Sequence, residues 1–290
     1  ITMTTIPINI VLNYIFMYGA CGIQPLGGPG AGLGAALSYG VFLVLNSIVV
    51  LRMKQFARYH VFARPPRPIP RDWWKMLAIC VPIGLTVFCE QSIFGAVGLL
   101  MAAYGTTVVA AHQAAMNFTT IVYMMPLSVS MAVTILVGFE VGGRRENGAR
   151  AYIRLSRVLT LVFVGVIALV LAAMRDSVAA LYTTNPEVQE LLRVFLLYAL
   201  VMQFCDCINA PLQGALRGYK DVTVTFWLAV LSFWGLGLPA GCALAAWTEL
   251  GPYGYWAGLN GGILVGAVLL MIRLRIIEER MRRANRALSS

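Results

Sequence analysis

Charge is what this sequence has least of: 22 Lys or Arg and 12 Asp or Glu make up only 12% of its 290 residues, against 59% hydrophobic residues. A soluble domain carries roughly twice that charged fraction, so a water-soluble globule is excluded and a bilayer is the expected solvent. No charged residue lies between Ile1 and Leu51, and Glu90 is alone from Met76 to Phe139. His is nearly absent, at two residues, and the six Cys fall within or at the ends of apolar runs. Cys205 and Cys207, in "CDC", have no CxxC spacing or His partner and read as small packing residues. Neither a disulfide framework nor a zinc site is expected. A basic leader is also missing, which argues against a secretory signal. The first residue is Ile rather than Met, and the expectation is that the sequence begins inside a longer protein.

What is present is a series of apolar runs, each to be compared with the roughly 20 residues that cross a bilayer. The run from Ile1 to Leu51 is too long for one crossing, and "GGPGAGLG" at 27–34 supplies a break, giving two spans. Residues 76–139 divide at "AYGTT", 103–107, into two more. Single spans fit 158–174, 194–216, 222–248 and 250–272. The sequence therefore predicts an all-α integral membrane protein with eight transmembrane helices.

The basic residues sort by side. If 52–75 is cytoplasmic, alternation places 144–157, 217–220 and the tail from Arg273 with it, and these four segments hold 7, 5, 2 and 6 Lys or Arg, which is 20 of the 22. This is the positive-inside pattern. The net charge of +10 is then a topology signal, and no nucleic-acid partner is expected.

An internal repeat is visible. "LGGPGAGLG" at 26–34 and "LGPYGYWAG" at 250–258 share LGxxGxxxG, 224 residues apart, each ahead of an apolar span and a basic segment. That offset makes 67–290 one complete six-span unit and 1–66 the last two spans of an earlier unit, as in the parallel repeats of secondary transporters. The intact protein should then have about twelve spans, four of them upstream.

Ten of the twelve acidic residues lie in loops or at span edges; Glu90 and Asp206 lie inside spans. Such a charge costs about 2.5–3.5 kcal/mol on insertion scales and marks a functional site by default. Every Lys and Arg is assigned to a loop or span end, so the balancing charge is expected from missing spans or from solution, as a proton or metal cation. Protonated carboxyls that bond neighbouring helices are the alternative. Gln91, Asn117, Tyr123, Gln203 and Asn209 carry oxygen donors on the same spans, either as ligands or as interhelical hydrogen bonds. Pro82, Pro126, Pro211 and Pro239 fall in or near spans and free backbone carbonyls there. His112, near a span end, is expected to make a helix-end hydrogen bond.

"PIGLTVFCEQSIF" (82–94), "AAHQAAMNFTTIVYMMPLSVSMAVTILVGFEVGGRRENGARAY" (110–152) and "QGALRGYKDVTVTFW" (213–227) together resemble the multidrug and toxic compound extrusion (MATE) family, in its NorM-type branch. The resemblance implies a twelve-helix fold of two six-helix lobes. This chain would supply the last two helices of the first lobe (1–66) and the whole second lobe (67–290). It further implies a non-enzymatic antiporter without cofactor or catalytic residues. Such a protein sits in the bacterial inner membrane with its basic loops and C-terminus cytoplasmic. It is monomeric when full length, and exports cationic or amphipathic organic compounds against Na⁺ or H⁺. Glu90, Asp206 and Tyr123 resemble the family's cation-site residues, with Glu90 and Asp206 as transient Na⁺ ligands. Met202 stands where the family can have Tyr. A lipid-linked saccharide flippase of related architecture is the second reading, although its pyrophosphate would call for Arg or Lys in the spans. A transport-inactive truncated fragment is the third. An intramembrane aspartyl protease would need two Asp and a GxGD motif, and the spans hold one Glu and one Asp.

Overall fold

The computed structural model describes residues 2–19, 24–53 and 69–289. The domain boundary drawn at 66/67, Cys21 and most of the first basic segment lie outside the described residues. Among the described residues all regular structure is helical. The helices are α1 (Thr2–Tyr18), α2 (Gly28–Arg52), α3 (Pro70–Met101), α4 (Thr106–Gly142), α5 (Glu146–Tyr182), α6 (Pro186–Gly218), α7 (Val222–Trp247) and α8 (Pro252–Ser289). Seven of them, α2 to α8, are long and apolar enough to cross a membrane; α1 is apolar but has 17 residues. The expectation of eight full spans is met by length in seven.

Two compact units are present, Ile1–Pro70 and Arg71–Ser290. In the first, α1 and α2 form a hairpin. Gly30 and Gly34 lie against the backbone of Phe16 and Asn13 so closely that a Cβ at either would collide. The contact is reinforced by Asn9 Nδ2 donating to Ser38 Oγ at 3.0 Å and by Ser38 Oγ donating to the Gly34 carbonyl at 2.7 Å. Small residues and side-chain hydrogen bonds are what hold helices together where lipid is as apolar as the contact. The "GGPGAGLG" stretch is therefore a break only at Gly27, which takes φ +60°; from Gly28 it is helix, and its glycines serve packing.

The second copy of the repeat does the same work. Gly251 takes φ +51°, and Gly254 and Gly258 pack against the backbones of Ala245 and Gly241 on α7. In both copies the first glycine turns the chain, while the second and third let the new helix touch the one before it.

In the larger unit α6 is the central helix, packed against α4, α5 and α8. Its buried face includes Phe195, Leu212 and Leu216 at 0% exposure, whereas Leu99, Ile135, Leu169 and Leu181 on other helices are 73–84% exposed. Apolar residues outside and satisfied polar residues inside are the pattern expected of a bilayer. The α4–α6 contact depends on Gly214, whose α-carbon meets the Ser130 carbonyl, and on Gly218 against Val137. By contrast, α3 stands farther from its neighbours, and its approach is closed by side chains, with Ile93, Val97 and Met101 buried.

The spans are longer than the apolar runs suggest. At about 1.5 Å per residue, the 37 residues of α5 reach about 55 Å, well beyond a hydrocarbon core of about 30 Å. The run 158–174 thus recruits both flanks. Two departures from regular helix were not expected: Met174 in α5 is non-helical at φ −124°, and Leu231–Gly237 in α7 is π-helical. Pro82, Pro126 and Pro211 lie inside α3, α4 and α6; Pro82 does not begin its helix, which starts twelve residues earlier at Pro70.

Candidate functional site

The standing-off of α3 leaves a cavity of about 250 Å³ between α3, α4, α6 and α7. Glu90 and Gln91 enter from α3, Thr119, Thr120 and Tyr123 from α4, Asp206, Asn209 and Gln213 from α6, and Phe233 from the π-helical part of α7. The two carboxylates and the phenol picked out in the sequence thus share one wall, and Gln91 and Asn209 join them. All three of Glu90, Asp206 and Tyr123 are half-buried.

The reason α6 supplies several groups is its pitch. Asp206, Asn209 and Gln213 are spaced i, i+3 and i+7 and fall on one face. That face is turned toward the cavity because the rest of the helix is buried on other sides. Pro211 removes an amide hydrogen and so frees the carbonyl four residues back, that of Cys207. Thr160 Oγ of α5 donates to this carbonyl at 2.8 Å. On α4, Ser130 Oγ donates to the Ala210 carbonyl at 2.6 Å and Thr134 Oγ1 to the Gly214 carbonyl at 3.0 Å. The proline-weakened stretch of α6 that carries the site is held from both sides.

Glu90 is fixed differently. Gln213 Nε2 donates to Glu90 Oε1 at 2.6 Å and also to Asn209 Oδ1 at 3.2 Å. Arg217 Nη2 donates in turn to Gln213 Oε1 at 3.1 Å. Arg217 lies in the last turn of α6, at the end of the span, and its hydrogen-bonded path to Glu90 runs through the neutral amide. Trp234 Nε1 donates to the Cys89 carbonyl at 3.2 Å, which latches the backbone beside Glu90 to α7. Neither Glu90 nor Asp206 belongs to an ion pair among the described residues. Asp206, which lines the cavity, makes no hydrogen bond among the described residues.

Of the other residues singled out, Gln203 and Asn117 make interhelical hydrogen bonds, and the expectation for His112 is corrected. Gln203 is fully buried in the α4–α6 contact, donating from Nε2 to the Thr119 carbonyl at 2.6 Å, and does not line the carboxylate cavity. Asn117 accepts from Tyr182 Oη at 3.0 Å and lines a second cavity of about 760 Å³, which shares Gln91, Phe94, Met116 and Thr120 with the first. His112 is not at a helix-end hydrogen bond: it is 2% exposed, and its Nδ1 accepts from Trp256 Nε1 at 3.1 Å. Met202 is buried in the core at 2% exposure. Reading the sequence missed Gln213, which its spacing from Asp206 could have revealed, and Phe233, which no regular periodicity could place.

The chemistry of the wall is that of a hard cation: two carboxylates, a phenol and amide and hydroxyl oxygens. No group of three or more His, Cys, Asp or Glu gathers among the described residues. At about 250 Å³ the cavity has room for an ion and a few waters, and is smaller than the roughly 300–1,000 Å³ of pockets for drug-sized ligands.

The chain is 45% identical over 280 residues to "Probable multidrug resistance protein NorM" of Geobacillus kaustophilus, covering 97% of this chain and 62% of that protein. It is 46% identical over 281 residues to the protein of the same name in Oceanobacillus iheyensis, covering 97% and 63%. The chain thus spans under two thirds of the length of these curated relatives. In structure it is similar to the eukaryotic MATE transporter AtDTX14, with a TM-score of 0.86 at 18% identity, over 99% of this chain and 63% of that one. It is also similar to the Vibrio cholerae MATE transporter VcmN in the bent form, with a TM-score of 0.77 at 20% identity, over 96% and 61%. The MatE family model matches residues 82–242, more than half of the chain and the segment that carries Glu90, Tyr123 and Asp206, and the chain belongs to that family.

Proposed function

We propose that this chain is the greater part of a cation-coupled multidrug efflux antiporter, with Glu90 and Asp206 as exchangeable ligands for Na⁺ or H⁺ and Tyr123 completing the shell. The observation that carries the reading is the pairing of Glu90 and Asp206 on one cavity without an ion-pair partner among the described residues. A structural carboxylate inside a bilayer is normally matched by a base; here the wall has none, and an entering cation supplies the charge. A protein that alternates access to such a site exports one solute while it returns the other.

The eight spans, α1 included, correspond in this reading to two helices of a first lobe and six of a second. The basic segments and C-terminus face the cytoplasm of a bacterial inner membrane. The name that the relatives carry, multidrug resistance protein, supports export of drugs, and cationic or amphipathic organic compounds are the proposed substrate class. The larger cavity, of about 760 Å³ and without a charged wall residue, is of the size such compounds need. A saccharide-pyrophosphate flippase is disfavoured because no Arg or Lys lines either cavity.

In the full-length native chain, Glu90→Gln and Asp206→Asn should each remove a charged ligand. Hydrogen bonds to charged groups are worth about 1.5–3 kcal/mol, so ion-stimulated dye efflux should drop by about tenfold or more at a fixed ion concentration. Membrane insertion and expression should not change. Efflux from vesicles under separately imposed Na⁺ and pH gradients measures this and identifies the coupling ion. Undiminished efflux in both variants refutes the assignment.

A further inference from the structure

Where α5 and α8 emerge at the end of the molecule that bears the basic segments, they leave a groove of about 370 Å³ that belongs to neither cavity above. It is lined by Arg150, Arg154 and Arg157 of α5 and by Arg275 and Glu278 of α8, four positive charges against one negative. The ion pair within it is long, Arg150 Nε to Glu278 Oε2 at 3.7 Å. Arg157 Nε is buried and has no hydrogen-bond partner among the described residues, an arrangement that costs stability.

The groove has a second, apolar half. Val158 and Leu161 on α5, 54% and 40% exposed, and Met271 and Leu274 on α8 continue it toward the uncharged parts of both helices. Arg157 is the last charged residue before the uncharged run 158–174 of α5, and Arg273 the first after the run 250–272 of α8. The arginines therefore stand at the level where hydrocarbon gives way to headgroups, with aliphatic side chains immediately on the hydrocarbon side.

We propose that this groove binds one acidic phospholipid, its phosphate held among Arg154, Arg157 and Arg275 and an acyl chain laid along Val158, Leu161 and Met271. The phosphate neutralises the surplus charge, and guanidinium forks suit phosphate oxygens. Basic pockets between transmembrane helices are where anionic headgroups are taken up. The proposal stands apart from the cation site: none of these residues lines either interior cavity.

The test is native mass spectrometry of the full-length native chain, delipidated in detergent. It is titrated with phosphatidylglycerol, with phosphatidylethanolamine of identical acyl chains, and with inorganic phosphate. Phosphatidylglycerol should be retained about tenfold or more over phosphatidylethanolamine, given the attraction of each basic residue for an anionic headgroup. In Arg154→Gln/Arg275→Gln, both of which change exposed side chains, that preference should disappear. Glu278→Gln should strengthen it, a sign that a merely structural loss would not produce. Should the double variant fail to fold, Arg154→Gln alone is held to the same criterion. Equal retention of the two lipids, an unchanged preference in the variants, or displacement of the lipid by millimolar phosphate would overturn the proposal, the last by making the groove a plain anion site.

Discussion

Gln213 is the residue on which the geometry of Glu90 depends most directly. It lends a hydrogen to the carboxylate and takes one from Arg217, so a distant charge steadies the acid without an ion pair that would occupy it. Replacing Gln213 by Leu keeps the volume and removes all three of its side-chain hydrogen bonds, to Glu90, to Asn209 and from Arg217. A hydrogen bond to a charged group is worth about 1.5–3 kcal/mol, so half-maximal stimulation of efflux should require about tenfold or more ion. An ion titration of efflux in the variant checks this, and an unaltered half-saturation would reduce Gln213 to packing. Glu90 and Asp206 were legible in the sequence because an acid is conspicuous in an apolar run. Gln213 lay within reach of the same reading, seven residues and two turns beyond Asp206. Phe233 did not, because a π-helical stretch breaks the 3.6-residue period from which facing is inferred.

At the scale of the helix, the question is how α6 tolerates Pro211 in its buried middle. The answer lies on another helix: the Cys207 carbonyl that Pro211 leaves without an amide partner receives Thr160 Oγ at 2.8 Å. Interhelical hydrogen bonds in membranes average about 0.6 kcal/mol and reach about 1.7, so Thr160→Val should lower stability by that order. The loss should shrink when Pro211→Ala restores an amide hydrogen to the same carbonyl. A double-mutant cycle on thermal unfolding in detergent measures the coupling; strict additivity would show that the hydroxyl serves α5 alone. The prolines could be read from the sequence, but their compensation could not, since Thr160 is 47 residues away from Cys207. Nor could the irregularity at Met174, where neither Pro nor Gly announces it. The LGxxGxxxG repeat was visible as a repeat, while its use was misjudged at 27–34. Glycines that break a helix in water can bring two helices together in lipid, and the letters alone do not distinguish the cases.

At the scale of the whole larger unit, positive charge is concentrated at one end. Arg273 holds Asp221 through two bonds, Nε to Oδ2 at 2.7 Å and Nη2 to Oδ1 at 3.1 Å, which ties α8 to the α6–α7 turn. Arg150 and Glu278 link the start of α5 to the same region. At the opposite end basic residues are few, Arg175 and Arg193, the latter paired with Asp176 at 2.8 Å, and the α5–α6 connection at 183–185 is neutral, with Asn185 capping α6 by accepting from the Glu187 amide at 3.0 Å. The proposed orientation, basic end inward, rests on the cost of translocating clustered Lys and Arg. Single cysteines placed at Asn185 and at Lys220, in a background with the native cysteines replaced, test it directly. Asn185→Cys should react with an impermeant maleimide in intact cells, and Lys220→Cys only once the membrane is opened. The reverse pattern would invert the protein. Labelling of both from outside would mean that the helices between them do not cross in the sense drawn, and with that the exposure of the Glu90–Asp206 cavity to alternate faces would have to be reconsidered.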